Sequence, residues 1–123
     1  MNRFRVWLVA GVAVTACTST APSPTTGLTG VVMRGPVTPV CRVDVPCDAP
    51  FSARFHVLRG TEEVTEFTSD PAGRFVVALV PGRYVVVPDS TAPILAARSQ
   101  IRVVTVDSGA VTPVTLSFDT GIR

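Results

Sequence analysis

From residue 27 to residue 123 the chain is predicted to be all-β, a seven-stranded antiparallel β-sandwich. Three observations carry that expectation. β-branched and aromatic residues gather in short runs with a period of two, Gly, Pro, Asp and Ser punctuate them, and no window holds apolar residues at helical spacing for long. Short strands at this density suit two sheets, each burying one face against the other.

The first strand is "GLTGVVMRG" from Gly27, the second "FSARFHVLRG" from Phe51, the third "EEVTEFTSD" from Glu62 and the fourth "GRFVVALV" from Gly73. "RYVVVPD" from Arg83, "SQIRVVTVDSG" from Ser99 and "VTPVTLSFDTG" from Val111 complete the set. In the fourth, Phe75, Val77 and Leu79 alternate onto one face, as Val114, Leu116 and Phe118 do in the last. The sixth is divided: Ile101 and Val103 lie on one face, Val104 and Val106 on the other, and a bulge is expected to bury both pairs. The joints have turn chemistry. Asp70 and Pro71 start a type I turn that Gly73 leaves with φ > 0, and Asp107 and Gly109 act similarly. Pro81 and Gly82 are expected to close a hairpin that sets Tyr84 and Val86 against the fourth strand.

Apolar residues make up 46% of the chain and charged residues 16%, enough for one packed core. All eleven basic residues are Arg, and two of them precede residue 17, which leaves nine against nine Asp and Glu. A neutral body with scattered arginines is not the footprint of a nucleic-acid binder.

The N-terminus has the layout of an export signal. Arg3 and Arg5 precede an oily run over residues 6–16, and small Ala16 stands before Cys17. The run is too short to span a bilayer, which takes roughly 20 apolar residues. "VTAC", from Val14 to Cys17, resembles a bacterial lipobox, with Val where Leu is commoner. The resemblance implies acylation of the Cys17 thiol and cleavage before it, so residues 1–16 are expected to be a lipoprotein signal peptide. The competing reading is an ordinary secretory signal cut elsewhere, for instance after Ala21. Two or more acyl chains hold a protein on a bilayer durably. Thr18 is not the Asp that resembles an inner-membrane retention signal, so the expected position is extracytoplasmic, anchored by lipid to the cell membrane or outer membrane. Residues 17–26 then form the lipidated Cys and a Thr/Ser/Pro tether, with a reach on the order of 30 Å.

"TSDPAGRFVVALVPGRYVVVP" resembles the signature of carboxypeptidase-regulatory-like, transthyretin-like domains: an Asp/Gly turn, G-x-F-x-x-x-L, a Pro-Gly turn and a Tyr-led strand. "GPVTPVCRVDVPCDAPF" and "FDTGIR" are similar to small bacterial secreted or lipidated proteins that carry this domain alone. The resemblance covers residues 27–123 and implies a seven-stranded sandwich related to carbohydrate-binding-like modules. It implies architecture and brings no catalytic residue.

An exported chain meets an oxidising compartment, and five residues separate Cys41 from Cys47, so a local disulfide is expected. Such a small loop contributes about 2 to 2.5 kcal/mol in the chain-entropy model. Two free thiols, or a metal site joined by His56, are the alternatives.

His56, the only histidine, alternates against Phe55 and Val57 and is expected on an exposed face or rim. No G-x-S-x-G elbow accompanies it, so no catalytic residue, cofactor or metal is expected. Glu62, Glu63 and Glu66 read as charges that keep an edge strand soluble. Asp44 and Asp48 lack the D-x-D-x-D spacing of a calcium loop. Three function classes follow. The first is a non-enzymatic surface module, tethered to the membrane through its lipid, that binds an envelope protein or glycan; the second is a carbohydrate-binding module, which needs exposed aromatics; the third is a small secreted hydrolase.

Overall fold

The computed structural model describes residues 25–122. The segment expected to be a signal peptide, residues 1–16, the expected lipidation site Cys17 and all but the last two residues of the expected tether lie outside the described residues. The chain forms two four-stranded sheets and no α-helix among the described residues.

One sheet is built on β1 (Gly27–Gly35), which β8 (Val111–Asp119) follows along its whole length. Its other side is shared by β5 (Arg74–Ala78), against residues 27–31, and the two-residue β2 (Ala49–Pro50), against Met33 and Arg34. The second sheet runs in the order β4 (Glu62–Thr68), β3 (Arg54–Arg59), β6 (Gly82–Pro88), β7 (Arg102–Val106). Each of the seven expected runs contains one strand, and β2 is the eighth. The expectation of wholly antiparallel sheets is corrected at β1 and β8, which pair in parallel from Gly27↔Val111 to Gly35↔Asp119. Gly30 stands opposite Val114, where a Cβ would collide with the Val114 carbonyl, so a side chain there would force β8 away.

Alternation builds the core. Phe55 and Val57 from β3, Tyr84 and Val86 from β6 and Leu28 and Val32 from β1 are essentially inaccessible to solvent. Five phenylalanines form a continuous contact chain between the sheets: Phe75 stacks on Phe67 at 4.4 Å and Phe67 on Phe55 at 5.1 Å, and Phe55 meets Phe51 and Phe118 at 6.1 and 5.6 Å. In β7 the division is resolved without a bulge, since Val104 and Val106 are buried while Ile101 and Val103 stay half exposed.

The Pro81–Gly82 joint is not a β-hairpin. β5 pairs with β1 whereas β6 pairs with β3 and β7, so the chain crosses there from one sheet to the other. Tyr84 and Val86 face Phe75 and Val77 across the sandwich instead of along a ladder. The Tyr84 hydroxyl donates to the Val80 carbonyl at 2.6 Å and holds this crossing in place. The joint at Asp70–Gly73 also crosses between sheets. Asp70 Oδ1 accepts from the Arg74 N–H at 2.9 Å, the Gly73 N–H donates to the Asp70 carbonyl at 2.8 Å, and Gly73 takes φ 76°.

Candidate functional site

On the outer face of the second sheet the alternation that buries Phe55 and Val57 turns His56 outward. Its cross-strand neighbours are Glu66 on β4 and Val87 on β6. Residues three apart on a regular strand face opposite sides, so Glu63 and Glu66 would normally be separated. A register shift between Val57 and Leu58 pairs Val57 with Thr65 and Leu58 with Glu63, leaving Val64 as the extra residue of a bulge. The bulge resets the parity and brings both carboxylates to the histidine. Nδ1 of His56 is hydrogen-bonded to Glu63 Oε1, and Glu66 Oε2 lies 3.7 Å away.

The other ring nitrogen faces a different element. Nε2 donates to Asp89 Oδ1 at 2.7 Å, and Asp89 directly follows β6. Its second oxygen, Oδ2, accepts from the Thr91 hydroxyl at 2.6 Å and the Thr91 N–H at 3.1 Å. The Asp89 hydrogen bond is the largest influence raising the His56 pKa above 6.5; burial opposes it, and Glu63 reinforces it. Asp89 is pushed well below the usual carboxylate range, first by the Thr91 hydroxyl and then by His56. A ring that donates from both nitrogens is an imidazolium and has no free lone pair to act as a general base.

Sequence reasoning set His56 on a rim and the glutamates on an edge strand; β4 is an edge strand. It did not join them, because the bulge is invisible to a period-two reading. Asp89 and Thr91 were missed outright. The pair D-x-T following a strand is the signal of a carboxylate braced by a short turn, and it was open to recognition.

Cys41 and Cys47 form a disulfide, with Cα atoms 5.5 Å apart. The loop they close, between β1 and β2, is tied at its base by the Val37 N–H to Cys47 carbonyl bond of 2.8 Å. It frames a cavity of about 580 Å³ lined by Thr38, Pro39, Val40, Arg42, Val45 and Pro46 together with the two cysteines. Val43 at its tip is 90% exposed and Val40 73%. Asp44 and Asp48 join no cluster of three potential ligands among the described residues; His56, Glu63 and Glu66 do.

β1 runs from Gly27, near the start of the described residues, to Gly35, where this loop begins. At about 3.3 Å per residue the two lie roughly 25 Å apart, at opposite poles of the sandwich. All aromatic side chains of the described residues, Phe51, Phe55, Phe67, Phe75, Tyr84 and Phe118, are buried. No protein-family model matches this chain, and no curated protein matches it either.

Proposed function

We propose that this chain is a non-enzymatic, lipid-anchored, extracytoplasmic β-sandwich module of the transthyretin-like type that binds a partner protein of the cell envelope through its disulfide-closed loop. The observation that carries the reading is the apolar tip of that loop, Val40, Val43 and Val45, standing exposed at the pole opposite residue 27. Exposed apolar clusters of this kind are characteristic of binding surfaces. A disulfide holding the tip in one shape lowers the ordering entropy of binding and belongs to an oxidising compartment. With Cys17 acylated, the tether would hold one pole at the bilayer and present the other outward. The carbohydrate-binding reading draws no support from the aromatics of the described residues, which are all turned inward.

Two measurements test this. Cys17→Ser should move the protein from the membrane fraction to the soluble one; retention in the membrane fraction, with residues 1–16 still attached, would refute the anchor. A photo-crosslinking residue at position 43 should give a discrete protein adduct in living cells, and one at position 80 none. Equal adducts from both positions would refute the loop as the binding surface.

A further inference from the structure

The His56 cluster is more than a solubilising face. We propose that His56, Glu63 and Glu66 form a site for a divalent transition-metal ion of the zinc type, with Asp89 as the carboxylate that orients the histidine.

The three candidate ligand atoms lie within 4.8 Å of one another. A tetrahedral centre with bonds of about 2.1 Å separates its ligands by roughly 3.4 Å, a closure that rotation of two half-exposed glutamates supplies. One imidazole and two carboxylates form a nitrogen–oxygen donor set suited to zinc and its neighbours; calcium and magnesium favour oxygen ligands throughout.

Two features outside the ligand trio point the same way. The first is the brace. Metal-bound histidines regularly donate their second ring N–H to a carboxylate, which fixes the tautomer and the ring plane. Here Nε2 donates to Asp89 Oδ1 at 2.7 Å, from an element 33 residues away in sequence, and Thr91 saturates the other Asp89 oxygen. The arrangement keeps the proton on Nε2 and presents Nδ1 to the glutamates. The second is access. A cavity of about 240 Å³ lined by His56, Leu58, Glu63, Val87 and Arg98 adjoins the cluster and leaves room for a fourth, exogenous ligand.

Charge agrees. Among the described residues no arginine forms an ion pair with Glu63, Glu66 or Asp89, so His56 is the one cation paired with the three carboxylates, while Arg98 lines the adjoining cavity without pairing to them. Metal binding releases the Nδ1 proton to solvent, leaves the ring neutral with Nε2–H intact, and replaces one positive charge by two. This inference is independent of the anchor and of the loop.

The test titrates Zn²⁺ into the full chain, purified in detergent and stripped with chelator. One ion per chain is expected. His56→Ala and the double variant Glu63→Gln/Glu66→Gln should each weaken binding at least about 100-fold, and Asp89→Asn about 10- to 100-fold. The double variant alters only exposed carboxylates, so it decides the matter if His56→Ala fails to fold. Binding in the wild type no stronger than in the double variant, or unchanged by it, overturns the site.

Discussion

Nε2 of His56 on β3 lies 2.7 Å from Oδ1 of Asp89 at the exit of β6, and this bond ties two neighbouring strands of one sheet through their side chains. Each partner is shifted toward its charged form. The His56 pKa is raised from 6.5, so its contribution to stability is full below that value and is lost as pH rises through the higher folded value. The Asp89 pKa is lowered from 3.8, so its contribution is present above that value and is lost only as pH falls through the folded value. Both are fully present between about pH 4 and 6.5. In chelator, thermal unfolding should therefore occur at a higher temperature near pH 5.5 than near pH 9, and His56→Gln should remove most of that difference. An unchanged difference in the variant would show that the pair does not couple to folding.

Ser69 is 1% exposed and is the one polar residue in the buried set of the described chain. Its hydroxyl donates to the Phe51 carbonyl and accepts from the Ala53 N–H, both at 2.9 Å, stitching the segment before β3 to the end of β4. Ser69→Ala orphans a half-buried N–H and a carbonyl. The expected loss is about 1 to 3 kcal/mol in urea unfolding with the m-value unchanged. A loss below about 0.5 kcal/mol would mean that water takes over both bonds.

Strand positions were legible because side-chain alternation is a local property: Phe75, Val77 and Leu79 announce their face without knowledge of any partner. Partner choice was not legible. Pro81 and Gly82 encode a reversal, but a reversal at a sheet edge and a crossing between sheets use the same residues, and what separates them is whether Phe75 finds Gly30 or Tyr84 beside it. The parallel pairing of β1 with β8 joins residues 84 apart, such as Gly27 and Val111, and leaves no local trace. Ile101 with Val103 and Val104 with Val106 were equally apolar choices until β6 fixed which pair faced the core. The His56 site failed to emerge for a related reason: one inserted residue, Val64, decides whether Glu63 and Glu66 share a face.

Glycine positions separate backbone freedom from space. Gly73, at φ 76°, has no room for a methyl group, which would sit 2.5 Å from the Val32 carbonyl oxygen and 2.9 Å from Pro50 Cβ. Gly60, at φ 64°, has nothing within 4 Å of the same position. Gly73→Ala should cost about 2 kcal/mol or more and disturb the 2.8 Å bond from the Val32 N–H to the Gly73 carbonyl, whereas Gly60→Ala should cost about 1 kcal/mol. Equal losses in denaturant titrations of the two would show that strain from φ alone governs both.

The Cys41–Cys47 bridge closes a loop of seven residues that, among the described residues, is tied to its base through the backbone by the bond between the Val37 N–H and the Cys47 carbonyl. None of its side chains enters the phenylalanine core, so reduction should release the loop and spare the sheets. The entropy model gives a loss of about 2 kcal/mol on reduction, since a short loop restricts the unfolded chain only modestly. Hydrogen exchange should accelerate at Val37, whose amide bonds to the Cys47 carbonyl, and at Val45, whose amide bonds to the Arg42 carbonyl, while Val57 in the core of the second sheet keeps its protection. Photo-crosslinking from position 43 should weaken in parallel, because the freed valines must then be ordered by the partner at the cost of binding. Two reactive thiols in the unreduced native chain, or protection lost together at Val37 and Val57, would show that the bridge does not act as a local clamp.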